Sequence, residues 1–414
     1  MTGTSAAEKP GRGAKLMKVL EASAKALNLR GVSQTSLAEI ADDLGISRAA
    51  LYYYFDDQQD LVFQCYQHSC ERMAESLEQA KGHSTNAMHR IEQFVDLVLS
   101  DDAPECAALS DVAFLRPEQQ SRIVKRFEAV RTDIASILEQ GASKKQVRKC
   151  RSGVVAASII GLVSWVPMAR RLPSHVLSQD DLLEALKSLL RVGIAADRRA
   201  PISYLAFQLS PVSFPATRVF DADLIAEARK EAVTAAASWL FNLKGVDATS
   251  LEEIALGLGV TKKVIYHNVG DKETLVAECY RRSFRIYEEI AERMAAYQGP
   301  GIEAICASAH ALAEASLRED ITPLATVGGL DALPEKAKGE IQKSSERLLK
   351  TYLRVYGKGQ ADGSVRNVQS RAVMNINPGS FEWLPKWFES FQPEELAAAP
   401  SEVAQLLRLG LMPL

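Results

Sequence analysis

The chain has 414 residues, more than one ordinary core holds, so at least two domains are expected. It is 47% hydrophobic and 24% charged with a net charge of −3, which excludes any overall cationic attraction to nucleic acid; a DNA-binding surface would have to be local. The longest apolar runs, such as Val154–Val163, are too short to span a membrane, and six scattered cysteines suit a reducing cytoplasm.

Residues 1–14 are polar and basic with no apolar core region, so they read as a flexible arm rather than a signal peptide. From residue 15 the pattern is helical, with Leu16, Val19, Leu20, Ser23 and Leu27 on one face. Ser36-x-x-Glu39 then has the form of a capping box, and Gly45 supplies a left-handed stop. Ser47 can cap the next helix, Arg48 to Tyr54. Two short helices about a glycine turn make a helix-turn-helix. Its second helix opens on Ser47, Arg48 and Ala49, short or basic side chains that can reach base edges and phosphates; Tyr52 carries a hydroxyl suited to phosphate at the rim.

Residues 63–197 continue as helices. Ile91, Phe94, Val95 and Val98 form one stripe; Ile123, Phe127, Val130, Ile134 and Ile137 form another; Leu182, Leu183, Leu186, Leu189 and Leu190 form a third. Cys65, His68 and Cys70 do not share a helical face, so no metal site is expected there. Residues 198–222 carry Pro201, Pro211 and Pro215 and read as an extended linker. Its Ile202, Tyr204, Leu205 and Phe207 point to a segment lying on a protein surface.

The chain then repeats itself. Residues 31–66 and 245–280 align without a gap at an offset of 214, with 16 of 36 positions identical. Ser250, Glu253, Gly259 and Thr261 repeat the caps and the turn, and Lys262, Lys263, Tyr266 and His267 occupy the second reading helix. More weakly, residues 144–167 answer 362–385, matching Trp165 to Trp383, and LLRVGI (189–194) answers LLRLGL (406–411). No period-2 strand series is present, so the fold class is all-α, two tandem units of a three-helix head and a helical body. The boundaries are 15–62 and 63–197 for the first unit and 223–276 and 277–414 for the second. Phosphate-binding glycine loops, nucleophile elbows and paired carboxylate motifs are absent, which argues against an enzyme.

The series T-S-L-x-E-I-A-x-x-L-G-(I/V)-(S/T)-x-x-x-(L/I)-Y, followed by Asp57 or Asp271 and Leu-Val, resembles the N-terminal domain of tetracycline-repressor (TetR) family regulators. The resemblance implies a DNA-binding head of three helices and a ligand-binding, dimerising body in each unit. Thr35, Ser36, Ser47, Arg48, Ala49, Tyr52 and Tyr53 are the implied DNA-facing residues of the first head. Thr249, Ser250, Thr261, Lys262, Lys263, Tyr266, His267 and Lys272 are those of the second. The copies depart from the family pattern differently: Gln58 stands where the family has a phosphate-contacting lysine, whereas copy two keeps Lys272 but replaces the aromatics with His267, Asn268 and Val269.

The expected partners are double-stranded operator DNA and a small-molecule effector, with no cofactor and no membrane. The S-W-V-P and E-W-L-P words resemble regulators that sense acyl thioesters. Phe94, Val98, Phe114, Phe127, Ile159 and Trp165 are pocket candidates in copy one; His310, Leu324, Tyr352, Met374, Phe381 and Trp383 are those in copy two. Ordinary core packing explains the same stripes, and the tryptophans also fit a dimer-facing helix. The closing helices, roughly 153–170 with 180–196 and 368–388 with 394–411, are expected to join the copies as an intramolecular pseudo-dimer. A homodimer of tandem chains with one active head, and a protein-binding adaptor with degenerate heads, stay open as alternatives.

Overall fold

A computed structural model describes residues 12–32, 35–100, 103–169, 177–201, 203–211, 221–325, 333–387 and 391–414. The first unit runs α1 (Arg12–Arg30), α2 (Leu37–Asp43), α3 (Arg48–Tyr52), α4 (Gln58–His83), α5 (Ala87–Leu99), α6 (Pro117–Ser143), α7 (Ser152–Ala169) and α8 (Gln179–Val192). The second runs α9 (Ala222–Lys244), α10 (Leu251–Gly257), α11 (Lys262–Asn268), α12 (Lys272–Ala296), α13 (Gly301–Leu317), α14 (Glu335–Ala361), α15 (Ser370–Ile376), α16 (Leu384–Trp387) and α17 (Pro393–Leu409). Among the described residues there is no strand, only an isolated antiparallel bridge between Ala195 and Val365. Thus the all-helical expectation holds.

Each head has its own core, in which Ile40, Leu51 and Tyr66, or Ile254, Ile265 and Tyr280, are buried. The bodies share one core that runs across both copies, through Ile134, Leu162 and Leu186 to Ile305, Ile376 and Leu407. α7 is 18 residues long and apolar enough to cross a membrane by composition, yet it is the central helix of this core.

The seam between the copies is built from equivalent residues meeting each other. Arg148 Nε donates to the Gly410 carbonyl at 2.7 Å, and its counterpart Arg366 Nε donates to the Gly193 carbonyl at 2.6 Å. Arg148 N donates to Leu411 O, and Arg366 N to Ile194 O. The returning pairs also match, Leu411 N to Leu190 O and Ile194 N to Leu407 O. At the centre, Gly161 lies against Gly379: a Cβ on Gly161 would sit 2.3 Å from the Gly379 carbonyl oxygen, and one on Gly379 would sit 2.6 Å from Trp165 Cβ.

One helix departs from expectation. The segment 368–388 is not continuous; α15 ends at Ile376, residues Asn377–Ser380 form a 3-10 turn, and α16 resumes at Leu384. Pro378 lacks an N–H and disrupts the preceding turn. The rearranged backbone lets Ser380 O accept from Ser158 Oγ and Asn375 O accept from Trp165 Nε1, both across the seam.

The described part of the linker is packed against copy two. Arg198 donates to the carbonyls of Leu409 and Pro413, Tyr204 Oη pairs with His310 Nδ1 at 3.1 Å, and Arg318 donates to Leu209 O. Leu205, expected against the surface, is instead 79% exposed; Ile202 lies outside the described residues.

Candidate nucleic-acid interface

The helix-turn-helix forms as the local sequence dictates. Ser36 Oγ accepts from Glu39 N while Glu39 Oε2 accepts from Ser36 N at 2.9 Å, so both ends of the capping box close. Gly45 and Gly259 take φ of +63° and +66°, the left-handed turn that a side chain would disfavour. Ser47 then caps α3 through Ala50 N, whereas Thr261 makes no side-chain cap bond to α11. Leu51 and Ile265 are fully buried and fix each second helix to its head.

On the outer face, Ser36, Ser47, Arg48, Ala49, Tyr52 and Tyr53 of head one are exposed, as are Ser250, Thr261, Lys263, Tyr266 and His267 of head two. Thr35 and Thr249 do not share this exposure. Both are buried, and their hydroxyls donate to Gly31 O and Gly245 O, holding the turn before α2 and α10. Their expected contact with DNA is therefore corrected to a structural role.

The two heads differ in how their cations are held. Among the described residues, Arg48 has no ion-pair partner, and α3 presents it to solvent. Lys262 is paired with Glu252 of α10 and lies 5.5 Å from the Tyr266 ring centroid. The Glu252 carboxylate holds the Lys262 ammonium above its ordinary pKa, and that carboxyl in turn lies below its own. Lys272 donates to Asp247 O at 3.3 Å, and partial burial lowers its pKa. Gln58 does the same job in copy one, donating to Val32 O and Thr35 O at 2.8 Å. The family's lysine position thus braces the loop behind the first head helix in both copies.

Two residue pairs that sequence reasoning missed connect heads to bodies. Asn28 Nδ2 donates to Cys106 O, and its Oδ1 accepts from Ala108 N, both at 2.8 Å. Asn242 repeats this with Pro323 O at 2.8 Å and Ala325 N at 2.9 Å. Ser69 and Ser283 accept from the intervening amides of Ala107 and Leu324. The available signal was identity at equivalent positions of the repeat, outside the recognised motif.

The pocket candidates do not converge. Phe127 stacks on Trp387 of the other copy at 4.0 Å, and Trp165 bonds across the seam. Trp383 Nε1 donates to Ser380 O and its ring packs on Phe391, while Phe381 is buried beside it. Phe127, Trp165 and Trp383, which lies against Gly161, are seam residues, and Phe381 belongs to the shared core. Phe94, Val98 and Ile159 are core; Phe114 packs on head one and Leu324 on head two. His310 is taken up by the linker's Tyr204, Tyr352 bonds Ser308 at 2.7 Å, and Met374 is half-buried on α15. A surface cleft of about 470 Å³, lined by Met88, His89, Glu92, Lys145, Arg191 and Met412, contains none of them.

Residues 19–65 and 233–279 each match the family of bacterial regulatory proteins described as tetR, and residues 88–168 match a tetracyclin repressor-like C-terminal domain. The chain belongs to the TetR family. Curated relatives include the HTH-type transcriptional regulator TtgR of Pseudomonas putida, 24% identical over 208 residues, covering 44% of this chain and 91% of that protein. The probable HTH-type transcriptional regulator ArpR of Pseudomonas putida is 23% identical over the same length and the same shares. Similar solved structures include apo AibR, with a TM-score of 0.35 and 19% identity over 42% of this chain and 96% of that one, and AibR in complex with isovaleryl coenzyme A and operator DNA, at 0.35 and 21% over 42% and 95%. As a TetR-family chain it is a DNA-binding transcriptional regulator with two helix-turn-helix heads, and not an enzyme.

Proposed function

We propose that one chain acts as a pseudo-dimer, with heads 15–62 and 223–276 reading two half-sites of one operator, and bodies 63–197 and 277–414 joined along the seam. The observation that carries this is the reciprocity of the seam: Arg148 on Gly410 and Arg366 on Gly193 are the two halves of a two-fold contact, closed within one polypeptide. Two-fold heads suit half-sites about 35 Å apart, one helical turn of DNA. Unequal heads suit an operator whose halves differ.

The exposed residues Arg48, Tyr52 and Tyr53, with Lys262, Lys263, Tyr266 and His267, are the contacts this reading assigns. The mode is repression released by an effector: a small molecule held by one or both bodies changes the head spacing and costs bivalent engagement. An acyl thioester is the effector class that the S-W-V-P and E-W-L-P words favour. The setting is the cytoplasm.

The test combines light scattering with footprinting of the DNA flanking the chain's own gene. A single-chain mass bound over two half-sites is expected. Two chains over four half-sites would replace the reading with a dimer of tandem chains, and no footprint on any duplex would favour an adaptor.

A further inference from the structure

We infer that Glu252 is a specificity-setting residue of the second head, holding Lys262 back from DNA and making the two half-sites unequal in strength. The inference rests on the DNA-binding reading above and adds to it Glu252, the unspecified position of the T-S-L-x-E-I-A series. Glu252 and Lys262 sit on different helices of the helix-turn-helix, α10 and α11, and their side chains meet in an ion pair on the outer face. Lys262 also lies over the Tyr266 ring, so its ammonium has two partners before any phosphate arrives.

The neighbouring charges do not relieve this arrangement. Glu253 is occupied by Lys244 of α9, leaving Glu252 to Lys262. Lys263 is exposed one residue along and cannot substitute for a side chain pointing from a different part of the helix face. In head one the position equivalent to Glu252 is Ala38, and Arg48 faces solvent without an ion-pair partner among the described residues. Head one therefore offers an exposed guanidinium, with no ion-pair partner among the described residues, where head two offers a neutralised pair. DNA must either displace Glu252 from Lys262 or accept a carboxylate beside its backbone, and both weaken head two relative to head one.

The experiment uses the full-length chain and a duplex that it selects from a random-sequence pool. If the unaltered chain selects nothing, the DNA-binding reading fails before the inference is reached. Given a selected duplex, Glu252→Gln is expected to bind about three- to ten-fold tighter at 50 mM salt, with a log–log salt slope steeper by about 0.9. Ala38→Glu, the reciprocal change, is expected to weaken binding by a similar factor. In a Lys262→Ala background the gain from Glu252→Gln is expected to shrink to less than about two-fold. An equal gain in both backgrounds would mean a general charge effect and overturn the clamp. So would unchanged affinity and slope, or weaker binding with lost discrimination at a cytosine, which would make Glu252 a direct base reader. Circular dichroism of each variant separates these outcomes from misfolding.

Discussion

A buried side-chain amide has to place its hydrogen bonds or leave polar atoms unpaired, and Asn28 places its bonds on Cys106 and Ala108. Asn28→Ala strips partners from two buried backbone groups, so unfolding by denaturant should show a loss of about 1–3 kcal/mol. Asn242→Ala should cost a similar amount, because Pro323 O and Ala325 N lose the same partner. At the outer face, Arg48→Ala and Lys262→Ala together should weaken DNA binding about uniformly across sequences and flatten its salt dependence, read by titration at several salt concentrations. Histidine sets a third expectation. Burial, with Arg72 nearby, holds His68 below its ordinary pKa, and burial does the same to His310. The unfolded chain then binds more protons than the folded one just below about pH 6.5, so stability falls as pH drops through that value. Melting temperatures at about pH 7.5 and 5.5 check this, and the paired change His68→Gln with His310→Gln should make the difference smaller.

At the scale of elements, the heads were legible because their signals are local. Ser36, Glu39, Gly45 and Ser47 each act within a few residues, and the repeat at 245–280 says the same thing twice. The positions of Thr35 and Thr249 were misread because sequence spacing cannot distinguish a hydroxyl facing DNA from one folded back on a turn. The seam was legible only as a pair of closing helices. Its geometry depends on Gly161 meeting Gly379 and on the break at Pro378. Neither is visible from periodicity, since the glycines are far apart in the chain and the break serves that distant contact. Two of the pocket candidates were ambiguous for a related reason: an aromatic stripe looks alike whether it faces a ligand or another helix, and Trp165 and Phe127 face the other copy. Gly161→Val should therefore break the crossing of α7 over the 3-10 turn. Overpacking of this kind costs about 1–3 kcal/mol or more, and calorimetry should show the shared core melting earlier while each head keeps its capped helices.

For the whole molecule, a covalent tether makes the association of the two bodies independent of concentration. Dilution should leave DNA affinity unchanged down to the lowest concentrations that can be assayed, whereas a two-chain complex would lose affinity as it dissociates. The seam also dictates an order of events at the ribosome. Arg148 waits for Gly410 and Ile194 for Leu407, so the first unit, once synthesised, must carry an unsatisfied and self-complementary face until the second unit's closing helix, α17, emerges. Two nascent chains on one messenger present that same face to each other. The tandem arrangement thus trades the search for a partner after release for a race during translation, in which late completion favours exchanged units over the closed chain.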